Sequence, residues 1–198
     1  MNTQDLFINY LVKDPLYFFR IVVILILSIC LHELGHGAAA ISQGDRTPAE
    51  RGHMTANPVV HMGWPSLMML CFAGISWGEM PVNPARFKSR KWGDIWVSAA
   101  GPLVNLALAL LAVIVINLFS AYSVISLTFF YLFAQINFVL FVFNLLPIPP
   151  LDGFHIFSEF FPSLKPLRDG YLGLFGFMIL FLTGAFNSLY GVADLVIR

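Results

Sequence analysis

"LSICLHELGHGAAAIS" (residues 27–42) places two histidines and a glutamate inside a run that is otherwise apolar or small. The surrounding residues 17–41 are long enough to cross a bilayer, which takes about 20 largely apolar residues for roughly 30 Å of hydrocarbon. Ionisable side chains at membrane depth cost on the order of 3 kcal/mol each on insertion scales, which makes them functional candidates by default. On a helix, residues four apart stand one turn above each other. His32 and His36 therefore present their imidazoles to one point, at a spacing suited to a single metal ion. Glu33, one residue along, has its carboxylate placed to reach a water at the metal, and not the metal itself, and to act as general base.

Composition agrees with a membrane setting. The 198 residues are 58% hydrophobic and only 11% charged, with a mean hydropathy of +0.78, whereas soluble domains carry about 25% charged residues. The formal net charge is zero, without the basic excess that nucleic-acid binding needs, so no nucleic-acid partner is expected. Cys30 and Cys71 are too few for a disulfide framework or a cysteine zinc site. The amino terminus lacks the basic region and small-residue cleavage site of a secretory signal peptide, so insertion is expected to come from the spans themselves.

These observations predict an all-α integral membrane protein with about four transmembrane helices, over residues 17–41, 95–119, 121–146 and 171–192. One membrane-embedded domain is expected over 1–198, its core at about 17–157. The apolar run 67–75 is too short to cross and is expected to be re-entrant, interfacial or strand-forming. Residues 43–64, rich in Pro, Gly, Asn and Thr without a helical apolar period, favour short strands and turns. An exposed strand edge there would let an unwound substrate add as a further strand. Arg46, Arg51, Arg86, Lys88, Arg90, Lys91, Lys165 and Arg168 fall on one face of this topology. Lys and Arg near spans stay cytoplasmic, so the first span should run inward and its "HELGH" should lie toward the cytoplasmic side.

A catalytic zinc site usually takes three protein ligands and leaves a position for water. The extended motif that supplies a third histidine six residues after the second is missing, since Ala39 and Ser42 stand at the required positions. The remaining candidates are His53, His61, His155, Glu159 and Asp152. Asp152 belongs to "NLLPIPPLDGFH", in which Pro147, Pro149 and Pro150 stop the third span as a helix. Irregular backbone beside a bilayer is tolerated where it lines an enclosed cavity, so these prolines can hold Asp152 toward the first span. Read alone, Asp152 and Gly153 equally suit a surface turn; the two-histidine motif tips the reading toward ligation.

At this point the sequence resembles the site-2 proteases, zinc metalloproteases that cleave peptide bonds within or beside the membrane. "HELGH" (32–36) is similar to their histidine-glutamate motif and "NLLPIPPLDG" (144–153) to their downstream metal-binding motif. "AAGPLVN" (99–105) resembles an element of the intervening span, and "NPVVH" (57–61) a segment of the cytoplasmic loop. The resemblance implies that His32, His36 and Asp152 bind Zn2+ and that Glu33 activates water. It also implies that Asn105 and Asn144 steady the substrate or polarise its carbonyl. The implied function is zinc-dependent cleavage of a transmembrane or membrane-proximal segment, with a membrane-protein substrate helix and the lipid bilayer as partners. Many members carry a PDZ domain after the second core span, but here the third expected span starts within a few residues of Phe119. Gating is then expected from the spans, the loop 43–91, a separate regulatory protein or a second copy of the chain.

The same residues admit other readings. A divalent-metal transporter would use the ligands for a travelling ion and would need further carboxylates or histidines along a crossing path; an inactive metal-binding scaffold would leave them idle. Gly101 and Pro102 suit a kink, and Asn105, Gln135 and Asn137 suit interhelical hydrogen bonds. His53 and His61 suit a solvated or backbone-bonded loop, and Trp64, Trp77, Trp92 and Trp96 an interfacial anchor.

Overall fold

The computed structural model describes residues 6–119, 126–168 and 185–197. Its framework is three long helices. The first span, Pro15–Ser42, begins where Asp14 accepts a hydrogen bond from the Tyr17 amide at 3.0 Å, with Pro15 in the first turn. The second span is Arg90–Phe119 and the third Leu127–Asn144. All three are long and apolar enough to cross a membrane. Pro102 lies inside the second span without ending it, as neighbouring helices allow within a bilayer.

Two tethers fix the directions of these helices. Lys88 donates its backbone N–H to the Gln43 carbonyl at 2.8 Å, joining the start of the second span to the end of the first. Arg20 donates to the Ser126 hydroxyl at 3.0 Å, setting the start of the third span beside the start of the first. The second span therefore runs antiparallel to the other two. Of the expected fourth span at 171–192, residues 171–184 lie outside the described residues; helix Ala185–Ile197 follows. It is tied to the third span through Asp194, which accepts from Tyr131 and Gln135 at 2.7 Å each. Gln135 thus makes an interhelical bond of the kind its position suggested.

The loop corrects one expectation. Among the described residues there is no strand, and residues 43–64 hold helical turns instead. The prolines and asparagines read as turn formers are helix starts. Pro48 opens the short helix Thr47–Glu50, and Asn57 caps the helix Pro58–Ala73 by accepting from the Val59 amide at 3.0 Å. The strand-forming reading of 67–75 falls with it, because most of that run lies inside the same helix. The expected strand edge for substrate is likewise not present over 43–75.

The helix Pro58–Ala73 breaks at Gly63 and packs Met62, Leu67 and Leu70 against Val22, Leu25, Ile26 and Ile29 of the first span. It stops at Gly74, whose positive φ of 72° closes the turn and where an added Cβ would come within 3.2 Å of the Phe7 ring; that ring stacks on Phe18. The chain then returns extended. Ser66 bonds both the N–H and the C=O of Trp77, and the Glu79 amide donates to the His61 carbonyl at 2.9 Å. Met54 before the hairpin and Met80 after it both reach Gly37, so the segment enters and leaves at the same end of the first span, a re-entrant arrangement. Its return limb is anchored by buried Asp45, which accepts from the Asn83 amide at 2.6 Å and from Thr47.

Candidate metal centre

The first span carries His32, Glu33 and His36 on its inner face, all buried. The two Nε2 atoms are 3.0 Å apart, and Asp152 Oδ2 lies 3.2 Å from His32 Nε2 and 3.4 Å from His36 Nε2. A tetrahedral zinc ion with bonds of about 2.0–2.2 Å spaces its ligand atoms by roughly 3.3–3.5 Å. The three observed edges, 3.0, 3.2 and 3.4 Å, form a triangle slightly tighter than one face of that polyhedron, and the donor set of two imidazoles and a carboxylate suits Zn2+.

Each imidazole is held from behind. The His36 Nδ1–H donates to the Val97 carbonyl at 2.7 Å, and the His32 Nδ1–H donates to the Asn105 side-chain oxygen at 2.6 Å. Both bonds aim Nε2 at the cluster, the nitrogen that offers its lone pair to a metal when the ring is neutral. Asn105 continues the chain: its nitrogen donates to Asn137 at 3.0 Å and to the Ser28 carbonyl at 3.4 Å, and Asn137 donates to the Phe133 carbonyl at 2.9 Å. Three spans thereby set the orientation of one imidazole. Asn105 lies behind His32 with its amide engaged, whereas Asn144, half-buried at the end of the third span, turns its nitrogen back to the Leu140 carbonyl.

Asp152 arrives by a different route. The third span stops at Asn144, and the proline-rich turn is closed by Ile148 donating to Leu146 and Leu151 donating to Ile148. Asp152 then opens the helix Asp152–Phe160, where a carboxylate complements the N-terminal end of the helix dipole. Burial by itself would raise its pKa, but the imidazoles of His36 and His32 hold it well below the usual carboxylate range. It stands ionised, the form a metal ligand requires.

Of the other sequence candidates, His155 and Glu159 are outside the converging group among the described residues. Glu159 is bonded to Lys165 and Arg168. His53 and His61 bond the Arg51 and Thr55 carbonyls at 3.0 and 2.6 Å, the backbone-bonded role their loop suggested.

Two features of the site were not legible. Gly101 was read as part of a kink, yet a Cβ there would collide with His36 Nε2 and sit 2.6 Å from His32 Nε2. The second span can approach the cluster only with glycine at that point. Gly78 plays a similar part on the return limb, since a Cβ would come within 2.5 Å of Glu33 Oε1. The buried carboxylate of Glu33 is therefore covered on one side by backbone from the re-entrant hairpin. A glycine next to proline in a greasy span was the available signal for the first, but no pattern in sequence gives the facing residue.

The comparisons with known proteins fall on the same residues. The profile described as peptidase family M50 matches residues 20–127 and 120–183. The chain is 36% identical over 175 residues to a Bacillus subtilis protein named "Putative zinc metalloprotease YwhC", covering 82% of this chain and 80% of that protein. It is 30% identical over 191 residues to "Putative zinc metalloprotease Rip2" of Mycobacterium tuberculosis, covering 88% and 73%. No solved structure matches significantly.

Proposed function

The chain belongs to peptidase family M50, and from that premise we propose that it is a zinc-dependent intramembrane endopeptidase that cleaves a transmembrane or membrane-proximal segment of a protein substrate. The observation that carries this reading is the convergence of His32, His36 and Asp152 at hydrogen-bond distances beside buried Glu33. In this reading those three side chains hold the metal. Zinc, when bound, supplies Lewis acidity that polarises the scissile carbonyl and acidifies a water.

The rest of the chemistry belongs to the chain. Glu33 takes the proton from the attacking water and returns it to the leaving amine, so the carboxylate ends as it began. Asn105 and Val97 keep the two imidazoles aimed while this happens. Asn144 is assigned to steadying the substrate backbone. A substrate helix has its backbone carbonyls engaged in hydrogen bonds and must open before a peptide bond can enter, so helix-weakening residues near the cleavage point favour cutting.

Membrane-fragment proteomics tests the function. Fragments should accumulate with the wild type and not with Glu33→Gln; identical fragment sets, or metal transport by a wild type without peptidase activity, would overturn the reading in favour of the transporter. Orientation follows from the basic residues gathered at the end of the first span nearer the site. A Ser89→Cys protein should react with a membrane-impermeant thiol reagent only from the cytoplasmic side. Reaction from outside would reverse the topology.

A further inference from the structure

The most heavily bonded cation described is one that the proposed chemistry does not use. Arg168, with a side chain only 14% exposed, donates from Nη1 to Asp94 at 2.7 Å, from Nη2 to Glu159 at 2.9 Å and to the His155 carbonyl at 2.8 Å, and from Nε to the Ser158 hydroxyl at 2.7 Å. Asp94 lies in the first two turns of the second span, and the other three partners lie on the helix that starts at Asp152. Lys165 adds a second cation on Glu159 at 2.5 Å. One guanidinium therefore bolts the Asp152 helix to the span that carries Val97, Gly101 and Asn105.

The geometry matters because Asp152 is the one cluster member that does not come from the first span. His32 and His36 share a helix, and each has its own Nδ1 bond. The described side-chain bonds of Asp152 go only to the two histidines. Its placement depends on the proline-rich turn before it and on whatever holds the nine-residue helix after it. The planar fork of arginine spans partners on two elements at once, which a lysine point charge cannot reproduce.

We propose that Arg168 is a positioning residue for the metal centre: by clasping Asp94, Ser158, Glu159 and the His155 carbonyl, it sets the Asp152 carboxylate at the distance from His32 and His36 that zinc binding requires. This rests on the reading of His32, His36 and Asp152 as the ligands. Outer partners that orient metal ligands typically change metal affinity by about 10–100-fold, and that is the range expected for Arg168→Ala. Arg168→Lys, which keeps the charge and loses the fork, should fall between it and the wild type.

The test is a double-mutant cycle on zinc affinity, read by competition with a chromophoric chelator on the full-length chain in detergent. Arg168→Ala should weaken binding about 10–100-fold in the wild-type background and change it less than about 3-fold in the Asp152→Ala background, because its effect passes through Asp152. A merely structural clasp would lower thermal stability in both backgrounds and leave the zinc affinity of the folded fraction alone; that result overturns the proposal. Equal losses in both backgrounds also overturn it. Should Arg168→Ala fail to fold, Arg168→Lys and Ser158→Ala carry the same cycle. If Asp152→Ala by itself binds zinc like the wild type, the ligand assignment fails, and the proposal fails with it.

Discussion

Gly101→Ala is expected to abolish zinc binding while leaving the protein inserted in the membrane. The added methyl would occupy the space of the two imidazole nitrogens, colliding with His36 Nε2 and lying 2.6 Å from His32 Nε2 and 2.7 Å from His32 Cε1. Neither ring can retreat cheaply, since each is pinned through Nδ1, to Asn105 and to the Val97 carbonyl. The loss of affinity should exceed the roughly 100-fold upper range of outer-partner substitutions, because the ligand atoms themselves are displaced. Gly35→Ala is the control. Its Cβ would meet the Val104 side chain at 2.8 Å and the Ala100 carbonyl at 3.1 Å, on the same helix pair but away from the ligand atoms. It should disturb packing and retain most of the zinc. Equal zinc per chain in Gly101→Ala and wild type would mean that the second span does not face the cluster as described.

Glu33→Gln is expected to lower the cleavage rate by about 10²–10⁴-fold with zinc content unchanged. At about 1.4 kcal/mol per tenfold, this is roughly 3–5 kcal/mol of transition-state stabilisation. The amide keeps the shape of the carboxylate in a site that is only 6% exposed, and so isolates the loss of the proton acceptor. Both quantities decide the outcome. Cleavage lost together with zinc would make Glu33 a ligand or a structural group, and cleavage retained would remove it from the mechanism.

The convergence of His32, His36 and Asp152 was largely legible because its signals are local. The one-turn spacing of His32 and His36 brings two imidazoles together by helix geometry alone. The halt of an apolar span at Pro147, followed by an Asp-Gly pair, marks a place where backbone leaves the helix close to the membrane. The loop was less legible because Asn-Pro serves equally as a turn and as a helix start, and which one forms depends on what the following residues pack against. For Pro58–Ala73 that is the first span, through Met62, Leu67 and Leu70. The contacts of Gly101 and Arg168 were not legible for another reason. Gly101 matters through the residues it faces across a helix interface, and Arg168 joins residues 94, 155, 158 and 159, which become neighbours only after the spans have packed. Counted in sequence as one more cytoplasmic charge, it is mostly buried and paired in the fold.

The central claim, that a turn after the third span completes a metal site begun by two histidines on the first, is tested most directly by zinc-edge X-ray absorption on purified wild type and Asp152→Ala. The wild type should show about one zinc per chain, with two imidazole nitrogens at about 2.0–2.1 Å and a carboxylate oxygen at about 2.0–2.2 Å. Asp152→Ala should lose the carboxylate contribution and most of the metal. The same zinc content and the same first shell in both proteins would contradict the account.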